Sequence, residues 1–400
     1  LMGGIANSGV ISGGQYGIIA QIITLTGGID NSGTISGNLA GIGIIAVRST
    51  FTGGIDNSGL ISGKSGIYLK SSSSLSGGIT NAGLIQGTSV AGIYLDASAL
   101  DSGIDNSGTI SGGQYAIYVN SGSTLAGGIT NSGSISGSAG GGVYLLNSTL
   151  SGGINNTGSI SGGVVGIAVS QSTLTGGINN TGSISGGTYG IAAVQSSLTA
   201  GIDNSGSISS KTGIFLRGSS LSGGLTNAGL IQSTRFAGIY LNVSALDGGI
   251  GNSGSISGGG GGIAVSQSTL TGGINNSGSI SGGTYGIAAV QSSLTGGINN
   301  SGSISGGGGG IGAAQSTLSG GITNTGSISG GTHGIYAAQS SLTGGINNTG
   351  SISGKTGIYL KSGLSLSGGI TNAGLIAGTS VAGIYLNASA LDGGIGNLGT

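Results

Sequence analysis

The chain has 400 residues, 99 of them glycine and none proline or cysteine; eight Lys/Arg balance eight Asp, and only 4% of residues are charged. This neutrality excludes the basic footprint of a nucleic-acid-binding surface, no apolar run reaches membrane-spanning length, and there is no disulfide framework. Glycine does not fall at every third position, so the chain is not collagen, and apolar residues returning at fixed offsets with so few charges argue against disorder.

The first element read along the chain, Gly4-Ile5-Ala6-Asn7-Ser8-Gly9-Val10-Ile11, returns to the end. Its asparagine recurs at Asn7, Asn31, Asn57, Asn81, Asn106, Asn131, Asn156, Asn180, Asn204, Asn227, Asn252, Asn276, Asn300, Asn324, Asn348, Asn372 and Asn397, seventeen copies at steps of 23 to 26 residues. A fixed period of this length means stacked supersecondary units, each needing only its neighbours. One continuous solenoid over 1–400 is therefore expected. It begins and ends in mid-repeat, which reads as a window of a longer array.

Within one unit, Leu150, Ile154, Ile160, Ile167, Val169 and Leu174 are apolar and separated by Gly, Ser, Thr and Asn. Alternation is two-residue, as in Ser159-Ile160-Ser161 and Ile167-Ala168-Val169, which is the strand period. Three short strands are predicted, around Leu150–Asn156, Ser159–Ser161 and Gly166–Ser170. Strands repeating in this way pair in parallel with their equivalents one turn later. The expected fold is all-β, a parallel β-helix solenoid of about 24 residues per turn and roughly 16 turns, right-handed by the crossover rule. The missing proline agrees, because strands paired on both sides cannot spare an N–H. Burial of a few aliphatics falls short of ordering a whole turn, so a single unit is not expected to fold.

With Ile154 inward and Asn155 outward, Asn156 points inward at a corner, where its amide can bond to the amides above and below. Gly158 is expected to supply the positive φ of a tight corner. A longer period is also visible. Lys64-Ser65-Gly66-Ile67-Tyr68-Leu69-Lys70 returns as Lys211–Arg217 and Lys355–Lys361, offsets of 147 and 144 residues, so six-turn blocks lie near 64–210 and 211–354. Val169–Gly187 likewise recurs as Val265–Gly283.

Parts for catalysis are few. The single histidine, His333, stands where Tyr189 and Tyr285 stand in sister units and reads as a surface substitution. Ser–His, Cys–His and zinc chemistry lack their residues. No catalytic, cofactor or metal residue is assigned, and no cofactor is expected. Asp30 and Asp56 share an outward column, where stacked carboxylates could draw a cation, and Asp96, Asp101 and Asp105 lie close in sequence. Gly258–Gly262 and Gly306–Gly310 lack a following Lys-Ser/Thr and are not phosphate loops.

The outward columns offer more. Tyr68, Tyr94, Tyr118 and Tyr144 fall at one position on successive turns, as do Tyr336, Tyr359 and Tyr385, an aromatic stripe able to hold sugars, a neighbouring rod, or simply itself. Lys70 and Asp96 are expected to pair on adjacent turns. Ser or Thr flank the inward Ile of the second strand, as at Thr34/Ser36, Ser134/Ser136, Ser159/Ser161 and Ser183/Ser185. This hydroxyl grid, interrupted by Leu60, Leu84, Leu230 and Leu375, is similar to the ice-binding face of some antifreeze β-helices.

The motif L-x-G-G-I-x-N-S-G-x-I-S-G-x-x-x-G-I, present along the whole chain, resembles the repeats in passenger regions of bacterial autotransporters and other large repetitive surface adhesins. The resemblance implies a right-handed β-helix displayed at the surface of a Gram-negative bacterium. The C-terminal membrane barrel of an autotransporter is not in this sequence, and neither are the inserted loops on which such passengers carry enzymes. The function expected is that of an extracellular stalk or filament with adhesion as its role, not an enzyme. Its expected partners are copies of itself, end to end or laterally, and host or matrix glycans, with no nucleic acid and no membrane insertion by this segment. The alternatives are a carbohydrate-binding or carbohydrate-cleaving β-helix using the tyrosine stripe with Asp96, Asp101 and Asp105, and an ice-binding protein.

Overall fold

A chain that is about one-quarter glycine, with apolar residues at alternate positions, has the material for short strands and little else. Every regular element among the described residues is a β-strand. The computed structural model describes residues 3–38 and 40–399, which form two compact units that divide between Ala200 and Gly201.

In the first unit the turn after Leu150 shows the pattern. Ile154–Asn156 forms a corner strand, Ser159–Gly162 and Val165–Ser170 follow, and the two-residue strand Thr173–Leu174 closes the turn. Each pairs in parallel with its equivalent one turn on: Ile154 with Ile178, Ile160 with Ile184, Ile167 with Ile191 and Leu150 with Leu174. The second unit repeats this, pairing Ile274 with Ile298, Ile280 with Ile304, Ile287 with Ile311 and Leu270 with Leu294. Each unit therefore has the three parallel sheets of a β-solenoid with a period of about 24 residues. The stretch read as one strand around Leu150–Asn156 divides at Gly152-Gly153. Gly153 there adopts φ +77°, and the chain turns from the third sheet into the first.

The core is a set of columns. Leu150, Ile154, Ile160, Ile167, Val169 and Leu174 are all fully buried, and so are Leu270, Ile274, Ile280 and Ile287. Column members differ in size without breaking register, as where Phe51 stands between Leu25 and Leu75. The Lys64 and Lys211 motifs mark turns whose bend has shrunk to that one lysine, between Leu60–Gly63 and Ser65–Lys70 and between Ser207–Ser210 and Thr212–Arg217. At Lys355 the two segments fuse into Ser351–Lys361.

Gly158 is needed for a different reason from the one expected. Its φ is not in the left-handed region; a Cβ built there would lie 2.1 Å from the carbonyl oxygen of Gly133 one turn back. The corner is tight between turns, so what is required is close approach of two backbones. Gly158→Ala should therefore cost about 1–3 kcal/mol or more through enforced backbone shifts. Gly14→Ala, where a Cβ meets nothing within 4 Å, should stay within about 0.5 kcal/mol. Hydrogen exchange across the flanking turns distinguishes the two.

Candidate functional site

Three systems of side chains run along the units: an asparagine ladder, a serine ladder and a tyrosine stripe. In the first, Asn131 Nδ2 donates to Asn156 Oδ1 at 2.8 Å and Asn156 Nδ2 to Asn180 Oδ1 at 2.7 Å. The same Asn156 amide donates to the carbonyls of Gly158 (3.2 Å) and of Ser183 on the next turn (3.1 Å). The backbone carbonyl of Asn131 accepts from Thr157 and Gly158. The Asn156 amide and the Asn131 carbonyl are thus satisfied, the asparagines are less than 3% exposed in each unit, from Asn31 to Asn180 and from Asn204 to Asn372, and the inward orientation read from the sequence holds. The ladder continues in the second unit, for example from Asn276 through Asn300 to Asn324 at 2.7 Å each.

The serine ladder escaped sequence reading. Ser148 N–H donates to Ser172 Oγ at 3.1 Å and Ser172 N–H to Ser196 Oγ at 3.2 Å, while Ser172 Oγ donates back to the carbonyl of Ser170. Ser244, Ser268, Ser292, Ser316 and Ser340 repeat the arrangement in the second unit. Before most of these serines stands a non-glycine residue in the left-handed region, such as Gln171 at φ +48° or Gln291 at φ +50°. That conformation costs roughly 1–2 kcal/mol. The serine bonds offset it, because the reversal is what turns each N–H along the stack. The signal was available as S-(S/T/A)-L once per turn, but serine is too common in this chain for the column to stand out.

Tyr68, Tyr94, Tyr118 and Tyr144 do share one column, as do Tyr336, Tyr359 and Tyr385. All but Tyr385 are half-buried rather than exposed. The reason is geometric: Tyr68 and Tyr94 stack at 4.6 Å and 2°, and Tyr94 and Tyr118 at 4.9 Å and 17°, so both faces of Tyr94 are covered and the edges meet solvent. Tyr115, not anticipated, joins them, stacked on Tyr118 at 4.6 Å and tilted against Tyr144 at 5.0 Å. Its ring lies over Gly140 of the next turn. Tyr285 does the same over Gly309 and Gly312. A tyrosine followed one turn later by glycines was the available signal. Open ring surface remains where Tyr115 and Tyr144, with Gly140, Val164 and Val165, line a cleft of about 310 Å³.

Burial and neighbouring phenols push the Tyr118 hydroxyl up to about 12. Burial, then the Asp96 carboxylate, raises Tyr68 as well; burial raises Tyr94, opposed by its hydrogen bond with Asn120. Lys70 and Asp96 share a column as expected, but they do not form the expected ion pair; both engage Tyr68 instead, its hydroxyl donating to Asp96 Oδ2 at 3.2 Å and Lys70 Nζ lying 5.7 Å from its ring centre.

His333 stands in the column of Tyr285, as read from the sequence, but it is half-buried rather than fully exposed. Its half-buried ring packs against Tyr336 and Tyr359, at 5.5 and 5.1 Å, with Nδ1 buried and unpartnered, and burial lowers its pKa. Asp96, Asp101 and Asp105 are not brought together. They lie on or beside strands of three different sheets, Asp96 with Tyr68, Asp101 accepting from Ser76, and Asp105 opposite Thr80 and Thr130. A cleaving pair would need two carboxylates flanking one bond. Asp30 and Asp56 are register partners, exposed along an open trough with Ser32, Ser58 and Thr80. The hydroxyl columns are in register, uninterrupted over five turns from Ser255 to Ser351 and from Ser257 to Ser353.

Asn156→Ala would leave Asn131 Nδ2 one acceptor short and Asn180 Oδ1 without its donor, at about 1–3 kcal/mol for each buried group left unpaired. Asn155→Ala, on the exposed side of the same strand, should be near neutral; faster hydrogen exchange in residues 131–183 of the first variant alone is the expected result. For the phenols, a folded pKa above the unfolded one contributes stability that is intact below the unfolded value and lost as pH rises through the folded one. Stability should therefore fall between pH 10 and about 12, read by circular dichroism alongside absorbance titration of tyrosine. Among known proteins no family model, no curated protein and no solved structure matches the chain.

Proposed function

We propose that the chain is an extracellular structural β-solenoid, serving as stalk or filament of a bacterial surface adhesin, and that copies of it associate end to end or side by side. One observation carries the reading. In both units turn after turn is closed by the same backbone, asparagine and serine hydrogen bonds, and the strands are joined by bends of a few residues from which no domain-sized loop departs. Such a design yields length and stiffness, the properties a stalk needs. Small uncharged side chains on the outer columns favour lateral contact, since packing them together desolvates no charge.

Electron microscopy and sedimentation of the purified chain at rising concentration test this. Filaments or bundles that lengthen or thicken with concentration are expected; particles of constant length and mass would end the self-association reading. A glycan array run beside it separates the rival. Binding lost in Tyr144→Ala but kept in Tyr94→Ala would favour a glycan receptor using the cleft beside Tyr144.

A further inference from the structure

Five tyrosines of the first unit, Tyr68, Tyr94, Tyr118, Tyr115 and Tyr144, form an unbroken series in which each ring centre lies 4.6 to 5.0 Å from the next. Main-chain register holds them there, since Tyr68, Tyr94, Tyr118 and Tyr144 are paired residue to residue through the sheet. Both faces of Tyr94 are covered, Tyr115 and Tyr144 also line the open cleft, and all five rings are half-buried, so each keeps a part that borders solvent. Hydrophobic burial alone does not require phenols here: Ile45 precedes Tyr68 in this column and Ala168 follows Tyr144.

We infer that this stack is an oxidative cross-linking site, at which hydrogen peroxide acting through a haem peroxidase couples neighbouring phenols ortho carbon to ortho carbon into dityrosine, stapling successive turns. Each of two adjacent phenols gives up one electron and one proton. At Tyr68 the Asp96 carboxylate, already accepting the hydroxyl at 3.2 Å, is placed to take that proton as the electron leaves. The two radicals join through a carbon–carbon bond, and the two ortho hydrogens leave as protons while the phenol oxygens are reprotonated. The pair loses two hydrogens in all; the peroxide accepts two electrons and two protons and becomes two waters. Holding the reactants in contact makes the coupling effectively unimolecular, which raises its rate far above that of encounters between separate chains.

The experiment treats the folded 400-residue chain, at low concentration, with the peroxidase and hydrogen peroxide. The readouts are dityrosine fluorescence, the mass of the monomer-sized band and the cross-linked peptides. Loss of hydrogen pairs from monomer is expected, with links between Tyr68 and Tyr94 and between Tyr94 and Tyr118. Tyr94→Phe keeps the ring and the fold but takes the phenol out of two of the four adjacent pairs, so the yield from this stack should fall to about half. Tyr16→Phe, at a position whose register partner is Ile42, should change nothing. Three results would each overturn the inference: no dityrosine in the folded chain, dityrosine only in covalent dimers, or an equal monomer yield from the urea-unfolded chain.

Discussion

In-register stacking is the constraint on which everything else here depends. Each interior group finds its partner in the equivalent residue one turn away: isoleucine on isoleucine, asparagine on asparagine, serine N–H on serine oxygen. Such an arrangement lets a chain with few large residues satisfy its polar groups, because a column of identical amides is complementary to itself. It also makes the chain intolerant of local change. A residue altered in one turn disturbs the turns on both sides, so loss of a single amide leaves an orphan donor and an orphan acceptor. The same logic accounts for the absence of proline, which would remove a donor from a ladder with no substitute.

Close stacking has a steric side as well. Turns approach so nearly at the corner that a side chain on Gly158 would collide with a carbonyl of the turn before it. Where the backbone must reverse, it does so partly with glycine, as at Gly153, and partly with residues that find the left-handed region costly, as at Gln171. The second choice persists because the serine that follows gains a hydrogen bond on each side. Within each unit the amide-to-amide bonds of the asparagines and the serine N–H bonds run toward the turn that follows, whereas the serine hydroxyls donate back to carbonyls of their own or the preceding turn. The asparagine amide dipoles therefore add along each stack.

On the outside, the same register concentrates whatever the sequence supplies. Serines become two parallel columns of hydroxyls, aspartates at Asp30 and Asp56 become neighbours, and tyrosines become a stack. The aromatic stack is the most consequential of these. Rings held face to face stabilise their own surface and shift one another's ionisation. They also surrender the faces a sugar would use, while open ring surface remains where Tyr115 and Tyr144 tilt against each other.

The strand class, the period, the parallel pairing, the core columns and the inward asparagine were all legible in the chain. Each is a one-dimensional consequence of apolar spacing and a recurring motif. The fixed spacing of Tyr68, Tyr94 and Tyr118 placed them in one column for the same reason. What a linear reading could not supply was distance between turns. Whether Gly158 serves conformation or contact, whether Tyr94 shows a face or an edge, and whether Tyr115 and His333 join the aromatic clusters depend on how closely neighbouring coils approach. The separation of Asp96, Asp101 and Asp105 onto three sheets, though they are near in sequence, has the same origin. Bends at Gly152-Gly153 and around Gln171 send adjacent segments to different faces, and only the folded coil reveals which residues meet.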